Sequence, residues 1–520
     1  MSPFLNLFKT LALLIVPVIS FVLLKQWKKS KSIYWFLPGP KKLPIIGDLH
    51  LIKDVPHRSF RDLAKKYGPI MHLKLGEISN IIVSSPEIAK EVLKDHDPIF
   101  TDRQVLIAME IMWYNTTNIA FSPYGEYWRQ MRKICILELL SAKMVRYFSS
   151  IRNDEISRLI ESVREISSDR KPLNLTERMF AMTSSTTSRV AFGKLCKDRG
   201  ELVKLLKEAS RMAAGFELAD LYPSSKVMSA LSWFSKLRMR RMRRDIDRIL
   251  DNIINEHKEN RPSKSSSGDD QFTERKGNGE FGNEDLVDVL LRIKENEELP
   301  IPINDDNIKA VIANMFSAGT DTSATTVDWT MAELLKNPRV MAKAQAEVRE
   351  AVRNGSNIME ENGFHKLDYL KLVIKESLRM HPPVPLLPRI SRAERKVHGY
   401  TFPVGTKVVV NNWALQRDPK YWTDPEIFLP ERFESNPSMS DFVSEFHYLP
   451  FGAGRRMCPG VTFGLTSVEH TLARLLYSFD WSLPQGVKPQ DLDMTENAGV
   501  TSSRKEPLFV VATPYVSSIQ

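Results

Sequence analysis

Cysteine is scarce in this sequence, since 520 residues contain only three. So few cannot form a disulfide framework, which favours a reducing, cytosol-facing location for the body of the chain. There is also no fixed-period repeat, so a repeat architecture is not indicated. The length suggests two or three domains by the usual prior, and 42% hydrophobic with 26% charged residues allows a large core.

Acidic residues are missing from the first 42 positions, which contain seven lysines. The net charge of +10 less these seven leaves +3 for the rest, so the body is nearly balanced. A nucleic-acid partner is therefore not supported, and the excess charge points to a membrane surface. Residues 236–245 hold six basic residues, but methionines recur there every three positions, which favours a helix with a solvated basic face.

Residues 4–24 are almost all apolar, long enough as a helix to cross a bilayer. A secretory signal peptide is the alternative, but no small-residue cleavage site follows Leu24. The lysine-rich flank that follows should stay cytosolic, with the N-terminus in the lumen. The sequence thus predicts a transmembrane anchor at 1–24, a basic and proline-rich neck at 25–48 and one large domain at 49–520.

Helical patterns dominate the body. Apolar residues spaced three and four apart fill much of 125–258 and resume from Asp285, whereas 259–284 is a polar, Gly- and Ser-rich loop. Strand signals are fewer: a hairpin over 71–83, after which Ser85-Pro86 starts a helix, and a strand near 405–413. The expected fold is mainly α with a smaller β region.

Cys458 stands in FGAGRRMCPG, residues 451–460. A dinucleotide fingerprint fails because Met457 occupies the place of its third glycine, and a zinc site lacks nearby Cys or His partners. No adjacent base marks a catalytic nucleophile, and a buried structural cysteine leaves the unusual neighbours unexplained. A lone thiolate ligand to haem iron fits better, because Gly454 and Gly460 permit a tight loop and Arg456 suits a haem propionate.

This stretch resembles the haem-binding signature of the cytochrome P450 family, F-x-x-G-x-R-x-C-x-G. Three further motifs follow the order of that family: a tryptophan and an arginine four apart, an acid and alcohol pair within AGTDTS, and a Glu-Arg-Arg triad. The matching residues are Phe451, Gly454, Arg456, Cys458 and Gly460 of the signature, Trp128 and Arg132, Ala318 to Ser323, and Glu376, Arg379 and Arg432.

The resemblance implies a role for each residue. Cys458 would bind the iron, Trp128, Arg132, Arg389 and Arg456 would face the propionates, and Phe451 would shield the sulfur. Thr322 would hydrogen-bond the oxygen being activated, Asp321 would relay protons, and Ala318 and Gly319 would leave room for O2 where the helix opens. One residue fewer than in many plant members separates Pro383 from Pro388, which affects the register of Arg389.

The resemblance further implies a plant microsomal, A-type haem-thiolate monooxygenase similar to terpenoid oxidases. Its cofactor would be haem b, its co-substrate O2, and its electron source NADPH through a separate reductase. Its place would be the endoplasmic reticulum membrane, with the catalytic domain in the cytosol. The segments facing the substrate, 105–113, 314–316, 384–387 and 498–501, are mostly aliphatic, which indicates an apolar small molecule. A P450-type isomerase or dehydratase and a non-enzymatic haem protein are the alternatives.

Overall fold

The computed structural model describes residues 36–168, 171–215, 217–260, 284–295, 299–357, 363, 366–434, 442 and 445–516. The predicted anchor, residues 1–24, lies outside these ranges, as do the first part of the predicted neck and most of the polar loop at 259–284. Within the described ranges no helix has both the length and the apolar character needed to cross a membrane.

Helices make up most of the described chain and strands a smaller part, which confirms the predicted class. The helices are α1 Pro56–Tyr67, α2 Pro86–Lys90, α3 Ile107–Met112, α4 Glu126–Cys135, α5 Ala142–Tyr147, α6 Ser149–Ser167, α7 Leu175–Phe192, α8 Arg199–Met212, α9 Leu218–Leu221, α10 Lys226–Leu231, α11 Trp233–Glu259, α12 Leu286–Glu295, α13 Asp305–Lys336, α14 Pro338–Arg353, α15 Asp368–Met380, α16 Asn412–Leu415 and α17 Val461–Ser478. The strands are β1 Ile70–Leu75, β2 Ile78–Val83, β3 Leu173–Asn174, β4 Leu386–Ile390, β5 Arg395–Val397, β6 Tyr400–Phe402, β7 Lys407–Asn411, β8 Phe479–Ser482 and β9 Phe509–Pro514.

Helix α13 runs through the centre of the molecule, with 32 residues and therefore a length of about 48 Å. Its start is fixed by a reciprocal capping box between Asn304 and Asn307. The first half packs into one large apolar cluster and the second half into another, with α7, α8, α15 and α17 alongside. Residues 317–323 belong to neither cluster. This middle segment borders the cavity described below.

The largest sheet has the strand order β1-β2-β7-β4. The predicted hairpin is β1 and β2, paired antiparallel from Ile70 opposite Val83, and Ser85 caps α2 as expected by accepting from the N–H of Ile88. Strand β4 pairs antiparallel with β7, and Arg389 lies opposite Val408. This pairing fixes the register of Arg389 despite the shortened loop before it.

The described end of the neck packs on the domain. The N–H of His72 in β1 donates to the Pro38 carbonyl at 2.8 Å, and Gly47 forms a β-bridge with Leu75. A tight turn over 43–47 gives Ile45 a φ of 67°. Residues 37–48 therefore lie on the sheet, and their last part forms a turn.

The basic stretch lies in α11 as predicted. Met239 and Met242 are buried, while Arg238 and Arg243 make ion pairs with Glu208 and Asp247. Two of the six basic side chains thus pair with acids of this chain, and the burial of both methionines agrees with a solvated basic face.

The predicted Glu-Arg-Arg triad is present and fully buried at its centre. Arg379 donates from Nε and Nη2 to the two carboxylate oxygens of Glu376 at 2.7 and 2.9 Å, and Arg432 Nε donates to Oε1 at 3.0 Å. The Leu429 N–H donates to the same oxygen. The remaining Arg379 donors reach backbone carbonyls, including that of Gln416 at 2.8 Å. The triad therefore ties α15 to the loop that precedes the cysteine segment.

Candidate active site

A cavity of about 350 Å³ lies between the cysteine segment and the middle of α13. All but two of the residues predicted from the sequence to bind the cofactor or to act in catalysis line it; the exceptions, Trp128 and Gly454, are described below. The lining residues predicted from the sequence are Arg132, Ala318, Gly319, Asp321, Thr322, Arg389, Phe451, Arg456, Cys458 and Gly460. Residues more than 300 positions apart in the chain thus meet at one site.

The cysteine segment folds tightly because two of its glycines adopt backbone angles that other residues avoid. Gly452 and Gly454 both have φ of 71°. A Cβ at Gly454 would collide with the Leu93 carbonyl oxygen and the Asp97 carboxylate. The Cys458 N–H closes the turn by donating to the Phe451 carbonyl at 3.0 Å. Gly454 therefore does not line the cavity; it lets the loop pack closely against Leu93 and Asp97.

The side chain of Cys458 is exposed to the cavity. Burial by the surrounding protein raises the pKa of the thiol, while the Gly460 N–H and the positive charge of Arg132 act in the opposite direction. Helix α17 begins at Val461, just after the cysteine as the sequence predicted, so its N-terminal dipole also favours a negative sulfur. The Gly460 N–H, the charge of Arg132 and the helix dipole therefore favour the thiolate form of Cys458 when its sulfur binds a metal cation.

Four arginines border the cavity. The sequence singled out Arg132 on α4, Arg389 on β4 and Arg456 in the cysteine segment, and the structure adds Arg103 from the stretch before α3. None of the four forms an ion pair with a carboxylate in the described part of the chain. Burial first, and the neighbouring guanidinium groups next, lower the pKa of Arg389 and Arg456 to about 9 and that of Arg103 to about 10.

Their hydrogen bonds go to backbone carbonyls or are not made. Arg456 donates from Nε to the Thr101 carbonyl at 2.9 Å and from Nη2 to the Ser122 carbonyl at 2.6 Å. The Nε groups of Arg103 and Arg389 are buried and have no hydrogen-bond partner among the described residues. Such concentrated, unmatched positive charge is costly and calls for an anionic ligand.

Trp128 does not line the cavity, but its ring contacts two of the four arginines. Its indole N–H donates to the Ile119 carbonyl at 2.9 Å, and the Arg456 and Arg132 guanidinium carbons lie 4.5 and 5.3 Å from the ring centre. The ring thus supports two arginines by cation–π contact. A direct contact of Trp128 with a propionate remains a prediction from the sequence.

The residues present fit a haem. A porphyrin needs an apolar slot, a thiolate or other ligand facing one side of it and cations for two propionates. The slot is lined by Val384, Leu387, Phe451 and Phe463, the thiol comes from Cys458, and the unmatched arginines supply the cations. The donor set among the described cavity-lining residues, one thiol with no histidine, agrees with haem-thiolate ligation rather than with a zinc centre.

Thr322 and Asp321 face the cavity from α13. The Thr322 hydroxyl donates to the Ala318 carbonyl at 2.7 Å. Burial raises the pKa of the Asp321 carboxyl to about 6, against the opposing charge of Lys207. A carboxyl with this pKa gains and loses a proton near neutral pH, so it can pass protons.

Ala318 and Gly319 are the open part of α13. Ala318 is exposed to the cavity although most of the helix is buried. A Cβ at Gly319 would lie 3.4 Å from the Thr187 hydroxyl, in van der Waals contact with α7. The helix is continuous from Asp305 to Lys336, so the expected opening is not seen as a break; the Thr322 side chain hydrogen-bonds one turn back and the ladder continues.

The substrate-facing segments predicted from the sequence reach the same cavity. Each of the four contributes lining residues, namely Trp113, Asn314 and Met315, Val384 and Leu387, and Val500 and Thr501. Their meeting here agrees with an apolar ligand next to the cysteine side of the cavity.

Glu496, which the sequence did not single out, holds the last of these segments. The Ser502 hydroxyl donates to its carboxylate at 2.7 Å, and His57 Nε2 lies 3.1 Å away with Arg58 on the same oxygen. Burial raises the pKa of Glu496, but His57 and Arg58 outweigh it and hold the pKa well below its usual range. Residues 57 and 496 are far apart in sequence, so no local pattern marks them.

Comparison with known proteins agrees with this geometry. The family model described as "Cytochrome P450" matches residues 37–510. Premnaspirodiene oxygenase of Hyoscyamus muticus is 53% identical over 95% of this chain and 96% of that protein, and 5-epiaristolochene 1,3-dihydroxylase of Nicotiana tabacum is 52% identical over 95% and 96%. A zebra fish cytochrome P450 solved with progesterone shares the fold, with a TM-score of 0.72, 24% identity and coverage of 88% of this chain and 99% of that one.

The family fixes the cofactors and the class of reaction. Its members use haem b with O2, and electrons reach them from NADPH through a reductase. With these relatives and the cavity described above, the chain belongs to the cytochrome P450 family and is a haem-thiolate monooxygenase acting on a small molecule.

Proposed function

We propose that Cys458 is the iron ligand of this monooxygenase and that the arginines around it hold the haem propionates. The observation that supports this most is the Cys458 thiol facing an apolar slot, next to four guanidinium groups that form no ion pair with a carboxylate among the described residues. Arg389 and Arg103 have free buried donors for the propionates, while Arg132 and Arg456 add positive charge. When bound, the haem supplies the activation of O2.

The remaining residues orient, protect and deliver protons. Thr322 presents its hydroxyl at the cavity, and Asp321 exchanges a proton near neutral pH one residue before it. Ala318 and Gly319 keep the side chain volume low beside them. Phe451 packs edge-on against Phe442, with ring centres 5.1 Å apart, and limits water on the sulfur side.

The substrate we propose is a terpenoid that this enzyme hydroxylates. Two relatives above 50% identity are named for oxidation of premnaspirodiene and 5-epiaristolochene. The cavity agrees with such ligands, because its charges are confined to the arginines and Asp321. Apart from these residues, the described cavity lining offers a charged substrate no side chain of opposite charge. If the protein were an isomerase, a dehydratase or a non-enzymatic haem protein, Thr322 and Asp321 would face the cavity without a catalytic role.

We further propose that residues 1–24 anchor the protein in the endoplasmic reticulum membrane, that 25–48 form the neck and that 49–520 form the cytosolic catalytic domain, without a nucleic-acid partner. The apolar run and its lysine flank support this topology. The reductase would dock its acidic face near Arg129 and Lys133 of α4, the helix that also carries Arg132.

The test is turnover by the full chain in microsomes supplied with the reductase. Premnaspirodiene, 5-epiaristolochene and a fatty acid of similar carbon number serve as substrates, with Cys458→Ser as the inactive control. We expect NADPH- and O2-dependent alcohols from at least one hydrocarbon and none from the charged fatty acid. Oxidation of the fatty acid alone would overturn the terpenoid assignment.

A further inference from the structure

One polar side chain of the cavity is not explained by oxygen chemistry. Asn314 of α13 lines the cavity, is only 8% exposed, and its side-chain amide makes no hydrogen bond to another described residue. A ligand group that pairs with such an amide is favoured over one that leaves it unpaired. Its donors and acceptor are therefore available to a ligand.

The neighbouring residues set the chemistry of that ligand. One turn further along α13, Ser317 is 3.2 Å from Ser210 of α8, hydroxyl to hydroxyl, so these two partner each other and leave the amide alone. Met315 and Trp113 contribute apolar surface, and the buried indole N–H of Trp113 also lacks a partner in the described part of the chain. A neutral oxygen fits this wall, since the amide of Asn314 can donate to it without a charge.

The position sets which part of the substrate is held. Asn314 and Thr322 share the cavity side of α13 but stand about two turns apart, roughly 12 Å along the axis. An oxygen held at Asn314 therefore lies at the end of the ligand opposite the carbon that reacts near Thr322.

We propose that Asn314 is a specificity-determining residue that binds a hydroxyl or carbonyl oxygen of the substrate, so that the preferred substrate is a terpenoid already carrying one oxygen. The inference rests on the proposed terpenoid function and narrows it. A hydrocarbon leaves the amide unpaired, whereas the mono-alcohol pairs it. Sites with buried polar groups discriminate in this way against ligands that cannot pair them. A preceding hydroxylation of the hydrocarbon must supply such a substrate.

The experiment is a spectral titration of the haem-loaded full chain without reductase, following the Soret shift on ligand binding. The probes are 5-epiaristolochene and its two mono-alcohols, with the hydroxyl at C1 or C3. For the wild type we expect at least one alcohol to bind about fivefold more tightly than the hydrocarbon, the usual effect of one neutral hydrogen bond. In Asn314→Leu that ratio should fall to about one, with hydrocarbon affinity kept or improved.

Thr320→Ala is the matched control, since Thr320 lies on the same helix, is 1% exposed and does not line the cavity, so this variant should keep the wild-type ratio. Asn314→Ala carries the same expectation as the leucine variant if that variant does not accumulate. An unchanged ratio in the Asn314 variants, or a wild type without preference for an alcohol, overturns the inference alone. If no probe shifts the Soret band of protein with an intact carbon monoxide spectrum, the terpenoid assignment fails and the inference with it.

Discussion

Replacing Glu376 by alanine is expected to prevent accumulation of folded, haem-loaded protein. The side chain is 0% exposed, and it accepts hydrogen bonds from Arg379, Arg432 and the Leu429 N–H. Removing it leaves two arginines without their buried carboxylate, a loss of about 3–5 kcal/mol. That is a large share of the total stability of a domain. The measurement is the yield of soluble haem protein, together with its thermal unfolding.

The same helix offers a matched control for this prediction. Asp368 and Lys371 of α15 form an ion pair with the same spacing as Glu376 and Arg379, but the side chain of Asp368 is 86% exposed. An exposed pair contributes about 0.2–0.5 kcal/mol, so Asp368→Ala should leave yield and unfolding temperature almost unchanged. Equal losses in the two variants would show that burial is not what gives the triad its importance.

Thr322→Ala is expected to separate electron consumption from product formation. The variant loses the hydroxyl that we propose Thr322 presents at the cavity, next to the proton-exchanging Asp321, while alanine suits the helix at least as well as threonine. General acid–base groups contribute about 10²–10⁴-fold, so product per NADPH should fall at least tenfold while NADPH oxidation continues and peroxide accumulates. Product, NADPH and hydrogen peroxide are measured in the same reconstituted reaction.

Thr320→Ala serves as the control for that variant. Thr320 lies on the same helix, is 1% exposed and is not a cavity-lining residue. It should keep the wild-type ratio of product to NADPH. Uncoupling by Thr320→Ala, or full coupling in Thr322→Ala, would contradict the role proposed for the Thr322 hydroxyl.

Local patterns predicted much of the fold. The hairpin, the Ser85 cap and the whole of α13 follow from alternation, capping residues and helical spacing, and the structure has each of them. These features depend on neighbours in sequence, which is why the sequence reveals them. The expected opening of α13 is not seen as a break, because the Thr322 hydroxyl donates to the Ala318 carbonyl one turn back, and helix propensity alone does not predict this bond.

Contacts between segments that are far apart in the sequence were harder to predict. Arg103 and Glu496 matter because the fold brings the first to the cavity and the second to an ion cluster, and no short motif marks them. Trp128 shows the same limit, since its spacing from Arg132 predicted the shared face but not the hydrogen bond to Ile119. Motifs indicated the chemistry of the site, and tertiary packing determined its partners.

The most direct test of the account is the absorption spectrum of the reduced protein with carbon monoxide. If Cys458 is the iron ligand, the wild type shows the red-shifted Soret band of thiolate ligation, and Cys458→Ser loses that band and its turnover. Cys196→Ser, which changes a cysteine outside the cavity lining, should keep both. A wild type without the band, or a Cys458→Ser protein that retains it, would contradict the assignment.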